Sequence, residues 1–545
     1  MLSMLGTVLL LLLSLPLLFV LLLFIAPRPL LAFLDGRVLK ALDIENYNRN
    51  SPYSLPGFAP VHKEISHGEV RIEGTLPADF NGVYLRNGTN TQFSELKSRV
   101  HMFNGAGMLH QVQVKDGVAS YSNSYVRTPR FEIEKSAGHE VYPEFGDLAG
   151  AGKPGLFKII LDLLKKRFKV IPKLAMLENA SATTAIQYHH GKLYCLQETS
   201  YPFALQVAEK DGRLLIGGEG QWDSFNGALD APFTAHPKID PETGDWYTFS
   251  TDLMSGRIHY SVLREGQLDK NVELLSEKPA LAFLHDYYLT QNHLVFPDLS
   301  LRFDSKNLTS DYRSPFYFDE DYKMRFGVIA RDHGDGDEIQ WFTTDLPGHI
   351  WHTINGWEQT ADDGSREIVV YAPVFPAYPS SVPIHTPDEP HAHLYVFRLN
   401  LDSGEVVEQT RLLEHFYERP SFNTAYLGKP SRYAYLLDEE GSGGIMGSGV
   451  LKYDLIAREP VKYFDYGDHL GGEALFVPKA DSQAEDDGYL VDLLMSESGA
   501  YLVIIDAADM EELARLHLPQ RVPYGVHACW LDEHKVATLL QAKGA

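Results

Sequence analysis

From about residue 60 onward, the chain is a long series of short segments in which apolar and polar residues alternate or apolar residues run together. Examples are GEVRIEG, GVYLRNG, KLYCLQE, DWYTFST, EIVVYAP, HLYVFRL and YLVDLL, and turn sequences such as PETGD, LDSGE and EDDG separate them. Alternation is typical of strands with one buried face, and apolar runs are typical of strands covered on both faces. The pattern predicts an all-β protein of many antiparallel strands. A β-propeller suits it best, because that fold leaves only short, protected edges.

The N-terminus has a different pattern, since the first 27 residues carry no charged side chain and include the run TVLLLLLSLPLLFVLLLFIA. A spanning helix needs about 20 apolar residues, which this run supplies. A cleaved signal peptide is the alternative, but the start is uncharged, the run is long and the APRP that follows is a poor cleavage site. We predict a transmembrane anchor over residues 1–27, a linker over residues 28–60 and one large domain over residues 61–545. The cations Arg28, Arg37 and Lys40 follow the span, so the positive-inside rule predicts a single-pass membrane protein with its large domain on the cytoplasmic side.

One segment, residues 155–177, departs from the strand pattern. Its apolar residues recur at intervals of three and four up to Pro172, which predicts an amphipathic helix. Lysine and arginine are concentrated on it, although the chain as a whole is acidic. Two readings are open: a solvated surface helix, or an interfacial helix that lies on anionic lipid with its cations at the headgroups. We favour the second because an anchor is already predicted, and we expect membrane lipid to contact residues 1–27 and 155–177.

The overall composition narrows the range of partners. The 545-residue chain carries 48 Lys and Arg against 73 Asp and Glu, a formal net charge of −25, which argues against nucleic acid because phosphate binding needs cations. Its 29 Tyr and 28 Phe favour strands and an aromatic-lined pocket. The two cysteines, Cys195 and Cys529, allow at most one disulfide, and so few cysteines suit a reducing compartment better than a secreted scaffold.

Four of the 22 histidines lie in short strand-edge sequences that are far apart in the chain. The sequences FTAHPKID, FLHDYYLT, IWHTINGWE and VPYGVHACW contain, in order, His236, His285, His352 and His527. None is close enough to another to share a helical turn, so only a large closed fold brings them together. A histidine chosen at random is more often structural than a ligand. Four neutral imidazoles at one point, however, suit iron, copper, zinc or nickel better than calcium or magnesium.

Ten blocks of sequence, spread in order over about residues 60–540, carry a resemblance to a known family. They include GTLPADFNGVYLRNGTN, HMFNGAGMLH, YVRTPRFEIE, FTAHPKIDPETG, FLHDYYLTQNHLVFPDL, WHTINGWE, ERPSFNTAYLGKPSRYAY, GGEALFVPK and RVPYGVHACW. A lone AHP or HD sequence is weak, but ten ordered blocks are specific. Together they resemble the carotenoid cleavage oxygenases, a family that includes carotenoid dioxygenases, stilbene-cleaving dioxygenases and the retinoid isomerohydrolase.

The resemblance implies a seven-bladed β-propeller with a helical and loop cap over an iron ion on its axis. It assigns the iron ligands to four residues, His236, His285, His352 and His527. Family members hold the outer ring nitrogens of such ligands with three glutamates. The matching residues are Glu198, Glu418 and Glu473, with Glu178 as a possible substitute for Glu198.

The resemblance also implies an activity. We expect an Fe(II)-dependent dioxygenase that uses O2 to split a carbon–carbon double bond of a carotenoid or apocarotenoid, a lipophilic polyene, into two carbonyl products. Three alternatives stay open: a stilbene- or phenylpropene-cleaving dioxygenase, retinoid isomerohydrolase-like activity and, outside the oxygenases, a metal-dependent propeller hydrolase. The stilbene subgroup usually activates a phenol with a tyrosine and a lysine near YVRTPRFEIE, where this chain has Arg130. Propeller hydrolases usually add carboxylate or asparagine ligands, which the four histidine blocks lack.

Overall fold

Strands follow one another along the chain from Ile65 to Asp532 in the computed structural model, as the alternating pattern predicts. The structure describes residues 16–54, 56–148, 150–252, 257–274, 284–304, 306–307, 310, 315–378, 391–440, 446–497 and 499–541. Within these residues, the strands form seven antiparallel sheets of four or five strands and one separate hairpin. We number the sheets blades 1 to 7 in chain order from residue 185 onward, so that the two sheets that also take N-terminal strands come last.

Five blades have four strands in simple sequence order. Blade 1 contains β6 (Ala185–His189), β7 (Lys192–Leu196), β8 (Phe203–Lys210) and β9 (Arg213–Trp222), and blade 2 contains β10 (Lys238–Ile239), β11 (Trp246–Asp252), β12 (Arg257–Arg264) and β13 (Gln267–Leu274). Blade 3 contains β14 (Tyr288–Leu289), β15 (His293–Asp298), β18 (Arg325–Ala330) and β19 (Gln340–Thr343), and blade 4 contains β20 (Gly356–Thr360), β21 (Arg366–Val374), β22 (His393–Asn400) and β23 (Glu405–Arg411). Blade 5 contains β24 (Tyr417–Ser421), β25 (Tyr433–Asp438), β26 (Gly449–Asp454) and β27 (Glu459–Asp465). The hairpin of β16 (Leu301–Phe303) and β17 (Phe316–Phe318) is inserted in blade 3.

Two blades combine strands from both ends of the chain. Blade 6 contains β28 (Leu475–Pro478), β29 (Gly488–Met495), β30 (Ala500–Asp506), β31 (Glu511–His517) and, at its outer edge, β2 (Arg71–Gly74). Blade 7 contains β32 (Ala528–Asp532), β3 (Gly82–Asn90), β4 (Ala106–Lys115), β5 (Val118–Tyr125) and β1 (Ile65–Glu69). In blade 7 the C-terminal β32 pairs with β3, from Gly82 opposite Asp532 to Arg86 opposite Ala528. Strands from opposite ends of the chain therefore close the ring.

An apolar core fills each space between neighbouring blades. Phe326 of blade 3 packs in one cluster with Val370 of blade 4, and Ile186 of blade 1 packs with Leu85 of blade 7. Comparable clusters join blades 1 and 2, 2 and 3, 4 and 5, 5 and 6, and 6 and 7. Because all seven spaces around the ring are packed, the predicted seven-bladed all-β propeller is confirmed.

The helices lie outside the blades. They are α1 (Pro16–Ile25), α2 (Pro27–Leu42), α3 (Ile44–Asn50), α4 (Pro129–Ala137), α5 (Gly152–Arg167) and α6 (Glu533–Gln541), and short 3-10 turns occur at Pro52–Ser54, Pro56–Phe58, Phe145–Asp147, Met176–Glu178 and Thr424–Tyr426. Helix α4 begins where the Thr128 hydroxyl accepts a bond from the Phe131 N–H, and it ends at Gly138, whose φ of 72° suits glycine. Whether these helices cover the axis stays a prediction.

The N-terminal segment contains more helix than the sequence-based expectation. Most of residues 28–60, predicted as a linker, are helical, and Leu31 and Leu42 of α2 are buried. In the described part of the chain, no single helix has both the length and the apolar composition to cross a bilayer; α1 and the helical residues Pro27–Asn50 meet both criteria only together, with a bend of 120° between them. Residues 1–15 of the predicted anchor lie outside the described residues, so the anchor stays a prediction.

The helix predicted within residues 155–177 exists as α5 but ends earlier than expected. It stops at Arg167 because Lys169 adopts a left-handed φ of 55°, which a right-handed helix does not allow. Leu161 of α5 packs against Leu23 and Leu31 of the N-terminal helices. The amphipathic helix is therefore fastened to the N-terminal segment.

Candidate metal centre

The four histidines singled out in the sequence meet at one point. Their ligand nitrogens all lie within 4.8 Å of one another. The His236 Nε2 is 3.0 Å from the His285 Nε2, which is 3.4 Å from the His352 Nε2. The His527 Nε2 is buried and has no hydrogen-bond partner among the described residues. The rings therefore direct their Nε2 atoms toward a common centre.

Each histidine lies just before the first strand of its blade. The four are His236 before β10, His285 before β14, His352 before β20 and His527 before β32. Since the rings converge, these first strands line the axis of the propeller. The short lengths of β10 and β14, two residues each, fit the crowding that strands experience near an axis.

The three remaining blades supply the three glutamates that the resemblance points to. They are Glu198 after β7 of blade 1, Glu418 on β24 of blade 5 and Glu473 before β28 of blade 6. The distances to the histidine Nδ1 atoms are 2.7 Å from Glu198 to His285, 2.5 Å from Glu418 to His352 and 3.1 Å from Glu473 to His527. Every blade thus contributes one residue to the centre, either a histidine or a glutamate.

The carboxylates determine which ring nitrogen is free. Each accepts a bond from Nδ1–H of its histidine, so the Nε2 lone pair is left for the centre. Glu198, and not the alternative Glu178, takes this position; Glu178 lies in the 3-10 turn Met176–Glu178. Among the described residues, no carboxylate pairs with His236.

Burial and mutual repulsion favour the neutral imidazoles that a metal ion needs. The pKa of His236 and that of His352 are well below the usual range, first because burial disfavours the cation and then because the other histidine rings oppose a second charge. Burial alone would raise the pKa of Glu198 and of Glu473, but their histidine partners lower the pKa of both carboxyls overall. Burial raises the pKa of the Glu418 carboxyl.

Three residues adjacent to the histidines join blades 2, 3 and 4 in one buried network. The Lys238 Nζ is 2.7 Å from Oδ1 of Asp286 and donates to the Thr353 Oγ1 at 3.1 Å. Oδ2 of Asp286 accepts bonds of 2.7 Å from both the backbone N–H and the hydroxyl of Thr353. Because these residues follow His236, His285 and His352 by one or two positions, the network ties three of the four rings together. We call it the three-blade network.

Sequence reasoning assigned no role to this network, although all three residues stand in the quoted blocks. Lys238 is the K of AHPK, Asp286 the D of HD and Thr353 the T of WHT. The available signal was a polar residue one or two positions beyond three of the four histidines. That signal gains meaning only once the blades are known to be neighbours.

The loop that carries His527 is held from the other side by a buried arginine. The Arg86 Nη2 donates to the Pro523 carbonyl at 2.6 Å, and a Cβ added at Gly525 would overlap the Arg86 guanidinium. Asp492 similarly accepts the N–H of Gly472, which precedes Glu473, at 3.2 Å. The absence of a side chain at Gly525 thus lets the loop that carries His527 pack directly against Arg86.

Two further sequence expectations concern residues away from the axis. Arg130, the position compared with the phenol-activating lysine of stilbene cleavage, is buried between Glu134 at 3.3 Å and Glu144 at 2.5 Å. Its positive charge is therefore neutralised by two ion pairs within the protein. Cys195 and Cys529 are buried free thiols and do not form the disulfide that two cysteines permit.

The donor set fits a first-row transition-metal ion. Four neutral nitrogens suit such an ion better than calcium or magnesium, which prefer oxygen. The unpartnered, buried Nε2 of His527 is the kind of orphaned polar atom that a bound ion satisfies. The three carboxylates behind the rings also fit a divalent cation, because they offset its charge and raise the basicity of the imidazoles.

The chain is similar to proteins of one family. The family model described as retinal pigment epithelial membrane protein matches residues 58–532. The carotenoid 9,10(9′,10′)-cleavage dioxygenase 1 of Pisum sativum is 32% identical over 535 residues, which cover 92% of this chain and 95% of that protein. The similarity to this relative therefore extends along almost the whole chain.

Solved structures share the fold. Cobalt-substituted apocarotenoid oxygenase from Synechocystis has a TM-score of 0.72 and 24% identity, with 88% of this chain and 99% of that chain covered. Lignostilbene dioxygenase from Pseudomonas brassicacearum has a TM-score of 0.73 and 24% identity, with 89% and 99% covered. From the family model and the Pisum relative together, the chain belongs to the retinal pigment epithelial membrane protein family, the family of the carotenoid cleavage dioxygenases.

Proposed function

We propose that the protein is a non-haem Fe(II)-dependent dioxygenase that cleaves one carbon–carbon double bond of a carotenoid or apocarotenoid. One O2 is consumed for each bond, and each alkene carbon leaves as an aldehyde or ketone. The alkene supplies the electrons, so the reaction balances without an organic cosubstrate. The family membership and the names of the curated relatives support this assignment.

The single observation that carries the proposal is the distribution of site residues over the blades. Four blades supply histidines and three supply the glutamates behind them, and all converge on the axis. In this assignment, His236, His285, His352 and His527 hold the iron through their Nε2 atoms. Bound iron supplies the activation of O2 for attack on the alkene.

The chain's own residues then have three tasks. The glutamates keep each Nδ1 proton in place, so that no ligand ring turns its N–H toward the centre. The three-blade network fixes the backbone next to three of the rings. The buried, aromatic surroundings, such as Trp351 with its ring 5.2 Å from the His285 ring, keep water away and suit a flat polyene.

Product analysis tests the proposal. Purified, iron-loaded protein is incubated with β-carotene, β-apo-8′-carotenal and resveratrol under 18O2, and the products are identified by mass. We expect two labelled carbonyl products from a polyene, no product from His285→Ala, and full activity from the buried control variant His189→Phe. Carbonyl products from resveratrol alone would indicate stilbene cleavage. We do not favour this result, because the Arg130 guanidinium already forms ion pairs with two carboxylates. The absence of any carbonyl product from iron-containing protein would instead favour the isomerase or hydrolase alternative.

We also propose that the protein is attached to a membrane, with residues 1–27 as the anchor and the catalytic domain on the cytoplasmic side. Helices α1, α2 and α5 share one apolar core yet leave a set of large apolar side chains exposed. This lipid-contacting surface comprises Leu17, Leu18, Phe24, Ile25, Phe33, Phe157, Ile160 and Leu163. An apolar surface of this kind suits insertion into the headgroup boundary, from which a polyene would be taken.

The cations of α5 need a correction within this proposal. Lys158, Lys165 and Lys166 form ion pairs with Asp147, Asp35 and Asp162, at 2.5, 2.8 and 2.6 Å. Half of the basic cluster is therefore engaged inside the protein. Arg167, Lys169 and Lys173 are exposed and are the cations that we assign to anionic headgroups.

Sedimentation with vesicles separates the two attachments. A chain without residues 1–27 is mixed with anionic vesicles, and Phe157→Ser and Leu163→Ser are compared with Ile456→Ser, a control because Ile456 is 58% exposed on blade 5. We expect the two α5 variants to release the protein from the vesicles and the control to leave binding unchanged. Vesicle binding that survives both α5 substitutions would leave α5 as a plain surface helix.

A further inference from the structure

Arg419 is a buried arginine next to the metal centre that has no task in the proposed chemistry. It is 6% exposed and follows Glu418, the glutamate that bonds the His352 ring. A buried cation is costly unless nearby groups compensate its charge and satisfy its donors. The partners of this guanidinium therefore show what keeps it beside the site.

The guanidinium of Arg419 joins two parts of the propeller that are distant in sequence. Its Nε donates to Oε1 of Glu439 at 2.6 Å, and its Nη1 donates to the hydroxyl of Tyr524 at 2.6 Å. Glu439 is 2% exposed and follows β25 of the same blade, whereas Tyr524 is 3% exposed and lies in the loop that leads to β32 of blade 7. Tyr524 precedes His527 by three residues. One side chain thus bonds blade 5 to the loop that carries His527.

The backbone of Arg419 also contacts the centre. Its N–H donates to Oε2 of Glu418, the same oxygen that lies 2.5 Å from Nδ1 of His352. Oε1 of Glu418 is buried and has no hydrogen-bond partner among the described residues. The bonds that direct this carboxylate are therefore made by Oε2, and one of them comes from Arg419.

The backbone conformation of Arg419 is a second, independent sign of a constraint. Its φ is 40°, in the left-handed region that residues other than glycine seldom adopt. The residue lies where the pairing of β24 with β25 shifts register between Glu418 and Ser421, so the strand is irregular beside the centre. A conformation of this kind persists only where the surroundings hold it, and it is frequent at functional sites. Here it accompanies the bond from the Arg419 N–H to the preceding carboxylate.

We propose that Arg419 is a positioning residue for the metal centre. It acts on the His352 ring through Glu418, and on the loop that carries His527 through Tyr524, so one guanidinium orients two of the four histidines. The planar guanidinium suits this task, because its donors form a rigid fork that fixes the direction of two acceptors at once. The inference rests on the proposed function, since it assumes that the four histidines hold a metal ion. Arg419 itself touches neither metal nor substrate in this assignment.

Titration of metal-free protein with Co(II), followed by visible absorption, tests the inference without turnover. We expect Arg419→Gln to weaken Co(II) binding about tenfold, and Tyr524→Phe, which removes a single hydroxyl, to weaken it about threefold. Both variants should also shift the visible spectrum of bound Co(II), because the histidine rings are no longer held in the same direction. Should Arg419→Gln fail to fold, Tyr524→Phe decides the matter, and an unaltered spectrum and affinity in that variant would overturn the inference.

The matched control is Arg130→Gln. The side chain of Arg130 is 8% exposed and pairs with the carboxylates of Glu134 and Glu144, each 6% exposed, on α4 and the loop after it. The substitution is chemically identical and also removes a buried guanidinium from two carboxylates, but it lies outside the blades. It should lower the urea midpoint and leave the affinity for Co(II) and the spectrum at the wild-type values. If Arg419→Gln behaves in the same way, Arg419 only stabilises the fold and the inference fails.

A double-mutant cycle shows whether Arg419 acts through Glu418. If it does, Glu418→Gln and Arg419→Gln combined should weaken Co(II) binding by less than the product of the two single effects, because the second substitution has less left to disturb. Losses that multiply fully would show that the two residues act independently, and they would overturn the inference.

These measurements separate failure of the inference from failure of the proposed function. Wild-type protein that binds Co(II) and cleaves no polyene would count against the proposed function alone, and the losses expected for the variants would still support the role of Arg419. Wild-type protein that bound no Co(II) would overturn the inference together with the metal centre on which it rests.

Discussion

Removal of the Asp286 carboxylate tests whether the three-blade network positions the metal centre. In the protein, Asp286 is 3% exposed and accepts bonds from Lys238, from the N–H and hydroxyl of Thr353, and from the N–H of Tyr287, all at 2.7–2.8 Å. Asp286→Ala deletes all four contacts. It also leaves the ammonium of Lys238 without its carboxylate.

The expected magnitude follows from the burial of the two charges. Breaking a buried pair by removal of one partner costs about 3–5 kcal/mol, and the side chain of Lys238 is 15% exposed, so we expect a loss of about 3 kcal/mol in the free energy of unfolding. If the network also orients the rings, metal affinity should fall about 10- to 100-fold, which corresponds to about 1.4–2.8 kcal/mol. Asp286→Asn keeps an acceptor for Thr353, so its free energy of unfolding and its metal affinity should lie between those of the wild-type protein and Asp286→Ala.

Two assays separate stability from positioning. Urea unfolding of metal-free protein gives the first quantity, and Co(II) titration of folded, metal-free protein by visible absorption gives the second. The control is Asp486→Ala, because it leaves the ammonium of Lys452, 2% exposed on β26 and two strands away from β24, without its carboxylate at 2.6 Å. It should lose similar stability and keep its Co(II) affinity. If Asp286→Ala also keeps its Co(II) affinity, the network stabilises the fold without positioning the rings, and the reasoning fails.

Three further substitutions extend the test. Glu418→Gln should weaken Co(II) binding about tenfold in the same titration, because an amide holds the Nδ1 proton of its histidine less firmly; unchanged affinity would count against that role. Gly525→Ala places a methyl group against the buried Arg86 guanidinium, so it should lower the urea midpoint through overpacking and also shift the Co(II) spectrum, whereas an unaltered spectrum would show that the loop adapts. Glu358 bonds Thr290, Asn292 and the His293 ring, and although burial opposes ionisation these bonds lower its pKa to about 2, so its stabilisation is present above about pH 4.5 and is lost as the pH falls toward 2. Glu358→Gln should therefore cost about 2 kcal/mol in unfolding free energy at pH 7, with screening allowed for, and nothing at pH 2; a pH-independent difference would contradict the assignment.

The strands were predictable from local pattern, but their arrangement was not. Apolar runs such as EIVVYAP, which is part of β21, indicate directly that the strand is buried. The number of blades had no such signal, because the blades share no repeated sequence. The prediction of seven blades came from the resemblance to the family. The end of α5 was misjudged because the turn at Lys169 is a backbone conformation that apolar spacing does not report.

The site shows the same division. The sequence blocks pointed to the histidines and to Glu418 and Glu473, since each stands inside a distinctive motif. Contacts between blades could not be predicted from the sequence, because nothing near Lys238 indicates that Asp286 of the next blade faces it.

The pairing of β32 with β3 has a consequence for biosynthesis. His527 stands one residue before β32, and the other three histidines all lie at or before residue 352, so a ribosome makes the fourth imidazole long after the first three. The same short segment completes both the sheet of blade 7 and the histidine cluster. A chain that stops before His527 thus lacks the closing strand and the last nitrogen of the histidine cluster together.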